Sequence, residues 1–111
     1  MTHNMHLKAK PFNLIKNKQK RIELRLWDEK RRQMNIEDII SFENEETSEI
    51  IKAKIIALYI FPTFKELYQK FDKLELGYTS FEVADYHDMD KYYSREKQEK
   101  YGVVGIGIEL L

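Results

Sequence analysis

Between Arg21 and Trp27 the chain alternates residue by residue, with Ile22, Leu24 and Leu26 on one side and Arg21, Glu23 and Arg25 on the other. A period of two belongs to a half-buried β-strand, with one face on a core and the other carrying charge. Further along, Glu49 to Phe61 is rich in β-branched residues and too long for one flat strand. It should curve or carry a bulge, as barrel strands do. A short strand is expected over Ile39 to Phe42. The chain closes on Val103 to Leu111, where Val104, Ile106, Ile108 and Leu110 share a face. Gly105 and Gly107 share the opposite face, leaving space for a close backbone approach or a sharp bend.

Helical signals are fewer. Thr63 and Glu66 have the spacing of a capping box, and Phe64, Leu67, Tyr68 and Phe71 follow at intervals of three and four. That pattern predicts one amphipathic helix ending near Lys73. A second short helix is expected from Ser94, its cap, to Tyr101, with Gly102 as the stop. Leu74 to Lys91 reads as irregular and acidic. Pro11 and Pro62 read as element boundaries. Together these elements predict an α+β fold, a small β-barrel with one or two short helices.

The length of 111 residues fits one domain, residues 1–111, and the hydrophobic content of 42% is enough for a core. Equal numbers of basic and acidic residues, 19 each, give the whole chain no net attraction to nucleic acid. Their distribution is uneven. Ten Lys or Arg against three acids lie between Lys8 and Arg32, whereas Glu37 to Glu49 holds six acids and no Lys or Arg. A folded domain would then have a positive and a negative flank, able to orient an anionic ligand. Alternatively, both blocks are ordinary solvated surface. There is no cysteine, which excludes disulfides, thiolate metal sites and cysteine nucleophiles. The N-terminus lacks a signal peptide's apolar run and no stretch is long enough to span a bilayer, so a cytoplasmic protein is expected. His3 and His6, near the first strand, have no third ligand in view, so no metal and no cofactor is expected.

The charged face around residue 20 carries the clearest chemistry. Glu23 and Arg25 project together and can charge-balance each other. Under strict alternation Lys20 would point to the other face, and it joins them only if the strand begins after it. The polar run Lys16-Asn-Lys-Gln19 makes an incoming turn there plausible. A Lys–Glu–Arg cluster in a cleft offers cations for phosphate or carbonyl oxygen and a carboxylate for a base N–H or a proton. The plainer alternative is a surface ladder of charges worth little energy.

This segment also carries a family resemblance. The hallmark G-x-K-x-x-E-x-R of the ASCH domains, a branch of the PUA-like barrels, is matched at Lys20, Glu23 and Arg25, with Lys18 in place of the glycine. Pro11-Phe12, Leu14-Ile15 and Leu26-Trp-Asp28 agree as well, and the usual Gly-Asp before the next strand is Glu37-Asp38. Tyr92-Tyr-Ser-x-Glu96 and Tyr101-Gly-Val-Val-Gly105 look like the ending of small bacterial stand-alone members. The chain thus resembles an ASCH domain along its whole length. With both family glycines missing, Asn17 is expected to supply the left-handed conformation of the first turn.

The resemblance implies a barrel whose cleft is lined by the motif and binds RNA or a nucleotide-like small molecule. Lys20, Glu23 and Arg25 would contact that ligand, with Lys18, Arg21 and Tyr93 as further contacts. Some members resemble amidohydrolases of acetylated cytidine, and others ribonucleases. A hydrolase would use Lys20 and Glu23 as catalytic residues, with Asp72 or Glu75 as a second carboxylate. The amidohydrolase branch, however, has Thr where this chain has Glu23. Tyr92, Tyr93 and Tyr101, beside Lys91, Arg95, Lys97 and Lys100, are candidate stacking platforms for unpaired bases or, more plainly, partly core residues. A third reading keeps the barrel as a partner-binding domain without chemistry.

Overall fold

The computed structural model describes all residues, 1–111. Five strands form one strongly curled half-barrel sheet, accompanied by short helices. The strands are β1 (Thr2–Leu7), β2 (Ile22–Leu26), β3 (Ile39–Asn44), β4 (Ile50–Phe61) and β5 (Val103–Leu110). The helices are α1 (Ala9–Lys16), α2 (Phe64–Lys70) and α3 (Arg95–Tyr101). The sheet order is β1-β3-β4-β5-β2, so β1 and β2 are its two edges. β1 pairs with β3 in parallel, and the other pairings are antiparallel.

The bend expected in the long strand is present. β4 shifts register against β5 between Ile55 and Ala57, so Ile56 is the extra residue of a bulge. The interior strand β5 is buried on both faces along most of its length. Val104, Ile106 and Ile108 join a core with Phe12, Ile15, Ile40, Phe42 and Ile55. Val103 joins a second core with Ile22, Leu24, Leu26, Phe64 and Leu67. The alternation of β2 thus holds, its apolar face packing on the second core.

Both anticipated helices form. The Thr63 hydroxyl accepts from the Glu66 N–H at 3.3 Å, and the Ser94 hydroxyl from the Lys97 N–H at 3.2 Å. α2 stops at Lys70, short of Lys73, because Phe71 turns extended and sets its ring edge-on against Tyr59, centroids 4.9 Å apart.

Helix α1 was not foreseen. Its first turn contains Pro11, which marks no boundary, because an N–H in the first turn has no intrahelical partner to lose. Phe12 and Ile15 anchor it, both essentially inaccessible. Its end corrects the expectation for Asn17. Asn17 is the C-cap at φ −85°, and Lys18 itself is left-handed at φ +71°. The Lys18 N–H donates to the Ile15 carbonyl at 3.0 Å and the Gln19 N–H to the Leu14 carbonyl at 3.0 Å. Those two bonds are a Schellman closure, with Lys18 where glycine is usual. Glu37 is likewise left-handed, at φ +81°. At both family glycine positions the backbone keeps glycine's conformation while the side chain departs.

Candidate functional site

The Schellman closure decides where the motif lysine goes. The chain leaves α1 at Lys18, and β2 does not start until Ile22, so Lys20 lies on the incoming turn and escapes the strand's alternation. Its ammonium reaches Glu23 Oε1 at 3.3 Å and donates to the Leu76 carbonyl at 3.1 Å. Arg25, two residues beyond Glu23 on the same strand face, donates to Glu23 Oε2 from Nη2 at 2.7 Å and from Nε at 3.1 Å. Lys20 and Glu23 are only 7% and 5% exposed.

Burial by itself would raise the Glu23 carboxyl, but Lys20 and Arg25 outweigh it and hold the group below its ordinary value. Burial would lower Arg25, and Glu23 more than reverses that. The cluster is therefore an ionised triad with one net positive charge. Glu23 takes only Nε and Nη2 of Arg25, and the Tyr93 hydroxyl stands beside the same guanidinium.

The segment after α2 closes over this triad. The backbone N–H groups of Arg21 and Ile22 both donate to the Glu75 carbonyl, at 3.0 and 3.1 Å, fixing residues 74–78 on the start of β2. Gly77, at φ +101°, lies directly against the Lys20 side chain. The resulting cleft has a volume of about 480 Å³, within the range of about 300–1,000 Å³ usual for small-ligand sites. Its lining comes from both sheet edges, with His6 and Leu7 of β1 and Glu23 to Arg25 of β2, and from residues 76–78, 88, 89 and 91–93. Lys8, Lys10 and Lys91 line its rim. Lys10 is paired with Glu82 at 3.0 Å, whereas Lys8 and Lys91 are exposed and make no ion pair.

The other proposed residues separate. Lys18 and Arg21 line a different hollow of about 360 Å³, together with Tyr59, Phe71 and Glu75. Glu75 is therefore outside the cleft. Asp72, exposed, accepts from the Leu74 N–H at 3.4 Å and is outside it too. Tyr93 lines the cleft beside Arg25, with its ring stacked on Phe64 at 6.2 Å, and burial pushes its phenol up. Tyr92, 63% exposed, also lines the cleft, whereas Tyr101 packs against the second core under Lys100. His3 and His6 fall on opposite faces of β1 and pair with different carboxylates, Asp38 at 2.8 Å and Glu43 at 3.6 Å.

Sequence reasoning missed one wall of the cleft. Tyr68 and Tyr78 share a hydroxyl contact of 2.9 Å, and the Tyr78 hydroxyl is 2.7 Å from Asp88 Oδ2. In the sequence Tyr68 belongs to the apolar stripe of a helix and Asp88 to an irregular acidic segment. No spacing rule joins residues on a helix, a turn and a 3-10 segment.

The ASCH domain family model matches residues 5–111. Two solved structures of similar fold cover the whole chain. The crystal structure of hypothetical protein PH0355 is 34% identical, with a TM-score of 0.83 and 100% of both chains covered. The solution NMR structure of protein PF0455 from Pyrococcus furiosus is 36% identical, with a TM-score of 0.73 and 98% of that chain covered. No match is found among the curated proteins. This chain belongs to the ASCH domain family, whose PUA-like domain is generally associated with RNA binding.

Proposed function

We propose that this ASCH domain binds single-stranded RNA by seating one unpaired nucleotide in the cleft above Lys20, Glu23 and Arg25. The observation that carries this reading is the convergence of those three side chains at the base of a nucleotide-sized cleft. Neutralised in part by Glu23, the two cations still leave one positive charge, and guanidinium N–H groups that Glu23 does not take, for a phosphate or a base carbonyl. Sequence-specific RNA recognition usually takes unstacked bases, because the grooves of duplex RNA hide their edges. Tyr92 at the rim offers a stacking face, with Lys8 and Lys91 positioned for flanking phosphates.

Hydrolysis of a modified nucleoside or of RNA is less well supported. The Lys20 ammonium is engaged by Glu23 and the Leu76 carbonyl, and both oxygens of Glu23 are engaged by cations. Neither group is free to accept a substrate proton as the cleft stands.

Fluorescence anisotropy with a panel of short labelled single-stranded RNAs tests the binding reading. Affinity should fall as salt rises and drop about tenfold or more in Arg25→Ala with the fold intact. Equal binding by wild type and Arg25→Ala, or none to any RNA, contradicts it.

A further inference from the structure

The Tyr68–Tyr78–Asp88 wall has a fixed proton order. A tyrosine hydroxyl has one proton to donate. The Tyr78 hydroxyl has two acceptors, Asp88 Oδ2 at 2.7 Å and the Asp85 carbonyl at 3.2 Å, and the nearer, charged carboxylate takes its proton. The 2.9 Å contact between the two hydroxyls must then be Tyr68 donating to Tyr78. Both phenols stay protonated, since burial first of all pushes Tyr68 up to about 12 and Tyr78 further still.

Two consequences follow. Asp88 is the terminal acceptor of the chain; it makes no ion pair, and its Oδ1 has no partner. The Tyr68 oxygen, having given its proton away, has only lone pairs left to offer. This wall therefore presents acceptors, whereas the Lys20–Arg25 base presents donors. All of these residues line the same nucleotide-sized cleft. A ligand that spans it needs an acceptor group at one end and a hydroxyl or amine donor at the other.

We infer that Asp88, held by Tyr78, accepts a hydrogen bond from the ribose 2′-hydroxyl of the nucleotide in the cleft and so makes the site select RNA over DNA. The inference rests on the RNA-binding reading above. A 2′-hydroxyl is the donor that RNA has and DNA lacks. A carboxylate with a free oxygen accepts from it without moving a neighbour. The phosphate and base carbonyls of the same nucleotide are acceptors suited to the cationic base of the cleft.

The test compares one short single-stranded sequence in ribo, 2′-deoxy and 2′-fluoro form against wild type, Asp88→Ala and Tyr78→Phe. The 2′-fluoro sugar keeps the ribose pucker but has no proton to donate. Wild type should favour the ribo form over both others by about tenfold, the worth of one charge-assisted hydrogen bond. Asp88→Ala should abolish that advantage, and Tyr78→Phe should reduce it. Losing the Asp88 charge strengthens binding of all three forms alike, and partial unfolding weakens all three alike, so the ratio within each variant isolates the hydroxyl contact. Equal wild-type binding of ribo and fluoro forms, or an undiminished preference in Asp88→Ala, overturns the inference and leaves RNA binding standing. Binding of none of the three overturns both.

Discussion

A first side-chain carbon at Gly77 would stand 3.0 Å from Lys20 Cδ and 3.3 Å from its ammonium nitrogen. The glycine is thus required twice, by its φ of +101° and by the lysine laid across it. Gly77→Ala should cost about 1–3 kcal/mol of stability, read from urea unfolding, and also weaken RNA binding by displacing Lys20. Lost stability with unchanged affinity would mean that the position of Lys20 does not matter to the ligand.

Glu23 predicts a pH dependence with a definite sign. Its folded-state carboxyl lies below the ordinary 4.5, so the unfolded chain binds its proton first as the pH falls. The stability it contributes is complete above about pH 4.5 and is lost as the pH drops through the folded value. Glu23→Gln leaves Lys20 and Arg25 buried without their counter-charge and should cost about 3–5 kcal/mol at neutral pH. The gap between wild type and variant should narrow on acidification. Asp38, Glu82 and Asp85 are lowered too, so the difference between the two proteins, and not the wild-type curve, reports Glu23.

Restoring the family glycines should stabilise the chain. Lys18 and Glu37 are exposed, at φ +71° and +81°, so Lys18→Gly and Glu37→Gly lose little contact and relieve a left-handed backbone. Each should gain about 0.5–1 kcal/mol, visible as a higher Tm. A lower Tm would mean that the side chains stabilise these turns in a way that their exposure hides.

These two positions mark what the sequence could and could not disclose. Alternation and β-branching place β2 and β5 because each residue reports its own face. The bulge in β4 was expected from length alone. Helix α1 was not visible, because eight residues carrying Pro11 and only two fully buried side chains give too little periodicity. Without α1, the left-handed residue could not be assigned to Lys18, and the side of Lys20 stayed conditional on the strand start. For the site, Glu23 and Arg25 were readable from parity. Asp88 and Tyr78 were not, since only the folded chain brings them to residue 20.

The rim predicts graded electrostatics. Lys8→Ala and Lys91→Ala should each weaken RNA binding modestly and reduce the slope of log affinity against log salt by about one. Lys18→Ala, on the separate hollow, should leave that slope unchanged. Equal effects from all three would point to diffuse attraction instead of a strand lying along this cleft.

An NMR titration of isotope-labelled protein with a short single-stranded RNA tests the cleft most directly. The account predicts amide shifts concentrated at Lys20, at Glu23 to Arg25, at Gly77 and Tyr78, and at Asp88 to Tyr93, saturating together. Shifts centred on the hollow of Lys18, Arg21 and Tyr59, or none with the fold intact, would contradict it.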